Sequence, residues 1–554
     1  MSTLDGPFEK VSTSTRERFC GRDAGPSTSD IYDVAVLGAG HNGLVAAAYL
    51  ARAGLSVIVL ERRQILGGPV GTYEFLPGYR TAFTNSPGSL DPRVVEELDL
   101  KSHGLRFVRP DPTLVHHFPD RPFIAWRDSD KTRPQFDAFA AGDADRYKYL
   151  VGRLEDLARK LNISVYEPAP DLDRARERLN HDERKLFDAV FYGSLQGVLD
   201  AHLQSDQAKA VLGMVALNTT LARPSDPGTA VGLMMRPIAM ASAPPGGEDD
   251  PRKMALRGST GLPVGGMGAL IEALESVCVT NSVQIQRQSD VVRVRACGDV
   301  HKVEIRDGHV YRARKVVAGL NPQTVCSLLD DDVLPDQMRQ DIRELPMTGS
   351  GAKVVFALNR IPRYQGLPSD LSNDAAASTQ FRIGPSLEYM EHQIDSVTRG
   401  LLPEKPLVWG LMPTVTSSGM APAESHILSA NVWHAPYEPA NNTWDVLKPI
   451  LAERTIDAIS QLMPDFRECI DDLKVMSPVD LETELGLIRS HITHGDMLTR
   501  TLFGSRPHVL ANDYRTPLKG FYLTGSGTWP GGYVTGIPGR NASQTVLYDI
   551  KSTA

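Results

Sequence analysis

Three glycines, Gly38, Gly40 and Gly43, stand in the run Gly-Ala-Gly-His-Asn-Gly directly after the apolar stretch Ile31–Leu37. Residues of this type at this spacing bind phosphate. Gly38 permits a tight turn, Gly40 lets a pyrophosphate approach the backbone, and Gly43 lets a following helix pack closely on the strand. The helix N-terminus, where His41 and Asn42 fall, then presents unpaired N–H groups and the positive end of its dipole to the phosphates. Eighteen residues past Gly43 stands Glu61. A carboxylate there accepts hydrogen bonds from ribose hydroxyls and repels a 2′-phosphate, so the chemistry implied is binding of FAD or NAD through an unphosphorylated adenosine ribose.

A chain with 47 glycines produces such a spacing by accident, so its surroundings must support it. They do. Ile31–Leu37 is rich in strand formers, the residues from Leu44 to Ala53 are an Ala-rich helix ended by Gly54, and those from Leu55 to Leu60 are a second buried strand that delivers Glu61. Strand, glycines, helix, strand and acid form one complete βαβ unit.

Beyond Glu61 the sequence continues with Arg62, Arg63, Gly67, Gly68, Pro69 and Val70, and with Pro-Gly-Tyr at 77–79. A βαβ unit ending in an acid, a basic residue and a Gly-Gly resembles the amine-oxidase and phytoene-desaturase superfamily of FAD enzymes, in its phytoene-dehydrogenase-like branch. The resemblance implies an α/β fold: a Rossmann-like FAD-binding domain of glutathione-reductase type built from discontinuous segments, with a substrate domain of sheet and helices. Two later blocks answer to it. Leu262–Leu270 opens a helix, followed by short strands from Val283 to Ala318, where the resemblance places Val292 at the adenine edge and Gly319 and Asn321 near the cofactor. Gly520–Gly536 is a strand followed by a Gly-rich turn, which by the same resemblance sets a helix N-terminus at the flavin and brings Gly525, Ser526, Val534 and Thr535 to it. Pro69 stands where much of the superfamily has Arg. No CxxC and no second strand-linked GxGxxG occur.

The implied organisation is a tail over residues 1–30, an FAD-binding domain from 31–110, 256–340 and 481–554, and a substrate domain from 111–255 and 341–480. In the first insert, residues 143–162 read as a helix, with Tyr147, Leu150, Leu154, Leu157 and Leu161 at helical spacing, and residues 186–203 and 208–221 read as further helices. Met214, Met234, Met235, Met240, Met254 and Met267 furnish either an apolar substrate wall or ordinary core. The second insert alternates strands, at 352–358 and 426–433, with a helix near 446–463.

The implied activity is dehydrogenation or oxidation of a fairly apolar small molecule by hydride transfer to flavin N5, with electrons leaving to oxygen, a quinone or another acceptor. A flavin-dependent isomerase and a flavin-bearing scaffold are the alternatives. A group that moves a proton near neutral pH is needed, and His434, His494 and Tyr533 are the expected catalytic residues, from a wider set that includes His491 and Trp529. Each has a plainer role open to it, in capping, backbone bonding or packing. No cysteine follows Cys469, which removes a C-terminal cysteinyl link and favours noncovalent FAD.

Composition agrees. With 59 basic against 67 acidic side chains the net charge is −8, and no Lys/Arg block marks a nucleic-acid surface. The 5 cysteines lie far apart, without disulfide or metal spacing, as in a reducing compartment. No apolar run suits a spanning helix and the first 30 residues lack a signal-peptide core, so the expectation is a cytoplasmic chain that is not secreted, with peripheral membrane contact as the alternative. The oligomeric state is not legible.

Overall fold

The computed structural model of the chain describes residues 31–85, 90–217, 220–242 and 261–553; the expected tail over 1–30 and Met254 lie outside them. The first of two seven-stranded sheets runs Val291–Cys297, Val300–Ile305, Val310–Ala318, Ile31–Leu37, Val57–Leu60, Gln284–Gln286, and Phe521–Leu523 joins it beside Val310–Ala318. Its centre is parallel: Leu37 lies opposite Leu60 on one side and Ala318 on the other, and Ala318 lies opposite Leu523. Strands buried on both faces read as unbroken apolar runs, as Val57–Leu60 does. Helices His41–Arg52, Gly268–Thr280 and Ile537–Thr553 cover one face through Leu44, Leu274 and Val546. On the other, Ala35, Leu37 and Ile58 pack with Val325, Met338 and Ile342. Parallel pairing brings the carboxyl ends of strands from three distant parts of the chain to one edge, where a ligand crevice forms.

The second sheet runs Ile470–Met476, Ala352–Leu358, His426–Trp433, Leu407–Leu411, Gln380–Ile383, Leu114–His117, Phe123–Ala125. Its strands come from 111–255 and 341–480, whereas the first sheet draws on the segments around them. Alternation along Ala352–Leu358 sends Val354, Phe356 and Leu358 into a core under helix Trp444–Ser460, where they meet Ile456 and Ile459. Lys353 points the other way. Successive register pairs set Lys353 opposite Asn431, Asn431 opposite Trp409, Trp409 opposite Arg382, and Arg382 opposite His116. Directly opposed residues share a face, so these five side chains form one row across the sheet.

A helical layer covers part of that face. The expected helix at 143–162 is Asp143–Leu161, and its five-residue stripe is buried. The helix expected over 186–203 is instead two, His181–Phe191 and Leu195–His202, because Ser194 caps a new N-terminus with its Oγ accepting from Gly197 N. Asp206–Ala216 stands where 208–221 was expected. Met214, Met234 and Met235 fill the core of this layer, and Met267 belongs to the nucleotide core.

Candidate active site

The crevice at the first sheet's carboxyl edge encloses a cavity of about 400 Å³. Gly38 begins it with φ +88, its N–H bonded to Leu60 O, and a Cβ there would lie 2.8 Å from Leu320 Cδ2. Gly40 lines the cavity with nothing within 4 Å of where its Cβ would be, and Gly68 is equally open. These two bare positions form the cradle that a diphosphate would fill. Gly43 does not line the cavity; a Cβ on it would stand 2.1 Å from Gly38 O, so it serves close packing of helix on turn. His41 Nε2 and Asn42 Oδ1 at the helix start are buried with no protein hydrogen bond. Burial lowers the His41 pKa to about 4, against a hydrogen bond with the Tyr533 backbone that raises it.

Glu61 is set by its own backbone contacts, with Oε2 accepting from Ala39 N at 2.8 Å and Oε1 from Arg63 N at 3.0 Å, and it faces the cavity beside Arg62. Gly67, in the left-handed region at φ +100, bonds its N–H to Ala39 O and ties the Gly-Gly loop to the first turn; Val70 follows it into the wall. Gly319, Asn321, Gly525, Ser526 and Val534 line the opposite side. The Asn321 side chain is also a helix cap, Oδ1 accepting from Gln323 N at 2.9 Å. A cavity of donors, open glycines, a cavity-facing carboxylate and uncompensated polar atoms fits FAD.

Two expected cofactor residues stand elsewhere. Val292 is not in the wall; its neighbour Val291 is, next to an irregularity in the strand register between Val291 and Arg293. Thr535 turns inward, its carbonyl accepting from Asp91 N and its Oγ1 from Ile537 N.

The three expected catalytic residues divide between two spaces. His494 and Tyr533 line the large cavity, whereas His434 lines a second one of about 90 Å³, which shares Pro69, Thr84, Leu487 and Ile492 with the first. All three have positive φ, +54 at His494, +58 at His434 and +72 at Tyr533. Non-glycine residues hold such backbone only where the surroundings impose it, and functional sites are where this collects. Burial lowers the pKa of His494 to about 3 and of His434 to about 4; for His434 the nearby Asp496 works the other way and His491 with the burial. Both rings are therefore neutral at physiological pH. His491 is fully buried off the cavities and bonds Asp496 through Nε2 at 2.8 Å, and Trp529 packs against Phe503 with ring centroids 5.1 Å apart; neither reaches a cavity.

Sequence reading missed the floor of the small cavity. Lys353 Nζ, fully buried, donates to Phe83 O at 2.9 Å, Asn85 Oδ1 at 3.1 Å and Asn431 Oδ1 at 2.8 Å. Burial, with no carboxylate among these partners, pulls its pKa well below that of an ordinary lysine. Trp409 and Trp433 wall the space, their centroids 5.6 Å apart. A signal was present: Lys353, Asn431, Gln380 and Arg382 are polar residues inside otherwise apolar strand runs. Missed too was Arg506, fully buried, which donates to the carbonyls of Thr493, Gly495, Asp496, Thr501 and Ser526 and so ties the loop carrying His494 to the Gly-rich turn.

Comparison with known proteins gives the same picture. Residues 36–89 match the family described as NAD(P)-binding Rossmann-like domain, and residues 248–546 the flavin containing amine oxidoreductases. The chain is 30% identical over 560 residues to pyridine nucleotide-disulfide oxidoreductase domain-containing protein 2 of Rattus norvegicus, covering 94% of each. It is 25% identical to the lycopene-forming phytoene desaturase of Pantoea ananas, over 91% of this chain and 96% of that one. In three dimensions it superposes on wild-type putrescine oxidase bound to putrescine with a TM-score of 0.60 at 16% identity, over 94% of this chain and 99% of that one, which shows the common fold. With the cradle, the carboxylate and the two sheets in place, the chain belongs to the flavin containing amine oxidoreductase family and is an FAD-dependent oxidoreductase.

Proposed function

We propose that this oxidoreductase dehydrogenates or oxidises a fairly apolar small molecule in the 90 Å³ chamber, using FAD held without a covalent link and an external electron acceptor such as oxygen or a quinone. The observation that carries the reading is the chamber's position: it opens from the cofactor cavity at Pro69, the residue after the Gly-Gly. When bound, FAD supplies a two-electron acceptor that takes a hydride from a substrate carbon. Gly40 and Gly68 admit its diphosphate, and Glu61 receives its ribose. Of the four described cysteines none lines either cavity, which supports noncovalent attachment.

The chain's own groups orient the substrate and handle its proton. Trp409, Trp433 and Leu487, all buried, give the chamber apolar walls. Burial disfavours the charged form of Lys353 at its floor, so this side chain gives up a proton more readily than an exposed lysine. His494 and Tyr533 stand on the cofactor side, and His434 inside the chamber.

The test is the visible spectrum of the purified protein before and after acid precipitation, with the released cofactor weighed, followed by anaerobic exposure to candidate substrates. Oxidised-flavin bands, free FAD in the supernatant and bleaching by an apolar substrate are expected. A colourless protein that takes up no added FAD would overturn the reading, and flavin retained in the pellet would overturn its noncovalent part.

A further inference from the structure

The row of polar residues on the second sheet has a definite electrical character. Lys353 donates to the Oδ1 atoms of Asn85 and Asn431, which turns both amide oxygens toward its nitrogen. The Asn85 amide is further tied to Ser429, its Nδ2 donating to Ser429 O and its Oδ1 accepting from Ser429 Oγ. Asn431 lines the chamber, and its Nδ2 gives the floor a donor. Among the described residues lining the chamber there is no Asp or Glu. The carboxylates nearby are engaged: Asp496 bonds His491 and Thr348, Glu61 its backbone partners, and Glu482 the N–H of Arg489.

Aromatic walls can hold a cation over a ring face, and two tryptophans here would suit one. One of the two rings already carries a cation. The fully buried Arg382 lies over the Trp409 ring at 4.1 Å from its centroid, so a second cation at this ring would meet a like charge. Lys353 supplies negative charge in neither protonation state. The chamber is also smaller than the roughly 150 Å³ apolar cavity that admits benzene, so it takes one end of a substrate rather than a long chain.

We infer that the chamber recognises an acyl oxygen, a carbonyl or carboxylate at the substrate's buried end, through the Asn431 amide above Lys353, and that it turns away an ammonium. The inference rests on the reading that this chamber is the substrate site of the flavoenzyme, and it deepens that reading by naming the polar group the substrate carries.

The test uses the FAD-loaded protein and three small probes of one shape: isobutyrate, isobutyramide and isobutylammonium. Binding is followed both by tryptophan fluorescence, since Trp409 and Trp433 line the chamber, and by perturbation of the flavin bands. The acid and the amide are expected to bind at least roughly tenfold more tightly than the ammonium. Equal or tighter binding of the ammonium, or no response to any probe, would overturn the inference. Asn431→Asp, nearly isosteric, replaces the donor with a carboxylate beside Lys353, and the acyl preference should fall below about twofold or reverse; an unchanged ratio in this variant would also overturn it. FAD content is measured separately, so a protein that binds no flavin would count against the proposed function while the tryptophan signal still reads the chamber.

Discussion

Alanine at Gly43 and alanine at Gly40 should separate two tasks that one motif combines. At Gly43 the new methyl would stand 2.1 Å from Gly38 O and 3.5 Å from Val36 Cγ1. Ordinary non-bonded contact is about 3.5 Å, so the helix must retreat from the turn by roughly 1 Å. Alanine gains up to about 1 kcal/mol over glycine within a helix, but overpacking of this kind costs about 1–3 kcal/mol. The clash outweighs the helix gain, and a net loss of up to about 2 kcal/mol is expected from these two ranges. At Gly40 nothing lies within 4 Å, and φ −65 with ψ 164 suits alanine. The fold then loses only a weaker helix cap, under about 1 kcal/mol, while the methyl projects into the space for the diphosphate. FAD affinity should fall at least about 100-fold, or ~2.7 kcal/mol. Thermal unfolding of FAD-stripped protein and titration with FAD by flavin fluorescence read the two effects apart. Gly43→Ala should lower the apo Tm more than Gly40→Ala, and Gly40→Ala should lower affinity at near-parental Tm. Parental FAD affinity in Gly40→Ala, or a raised apo Tm in Gly43→Ala, would refute the reasoning.

Lys353→Met should leave FAD content near parental while slowing anaerobic flavin reduction by about 10²-fold or more, the scale of a lost proton-handling group, as seen by stopped-flow absorbance. Arg506→Met strips a donor from five buried carbonyls and should cost about 3–5 kcal/mol of stability in denaturant unfolding, with Arg506→Lys recovering only part. Stability should fall on mild acidification: the pKa values of His116, His41 and His434 are lowered to about 3, about 4 and about 4. Unfolded histidines bind protons below about 6.5 while these folded ones do not until pH nears 4, so each contributes a loss of up to about 1.4 kcal/mol per pH unit through that window. Melting curves from neutral pH down to about 5 check this, and a Tm that rises on acidification would contradict it.

What could be read along the chain was the nucleotide half of the molecule. Its signals are local: a parallel strand buried on both faces must be apolar, a tight turn needs Gly38, and the acid that ends the second strand bonds back to that turn, so Ile31 to Glu61 carries its own explanation within one βαβ unit. The Gly-rich turn before the last helix is legible for the same reason. The resemblance pointed to Val292 where Val291 lines the cavity, and periodicity ran through Ser194, whose hydroxyl starts a new helix.

The chemistry of the substrate side depended on tertiary structure. Lys353, Asn431, Trp409 and Arg382 come from four strands, and only sheet pairing, with its register and alternation of faces, lines them up. Of the histidines, His491 and His494 stand three residues apart in similar sequence surroundings, yet one is locked to Asp496 in the core and the other borders the cofactor cavity. Their difference lies in which way a backbone with positive φ at His494 turns the chain, and in Arg506, brought from beyond the loop to hold it there. Local sequence therefore determined the glycine turn and carboxylate of the large cavity, because their spacing is built within one unit, while long-range packing decided which polar groups line the smaller chamber, because no single segment contains them.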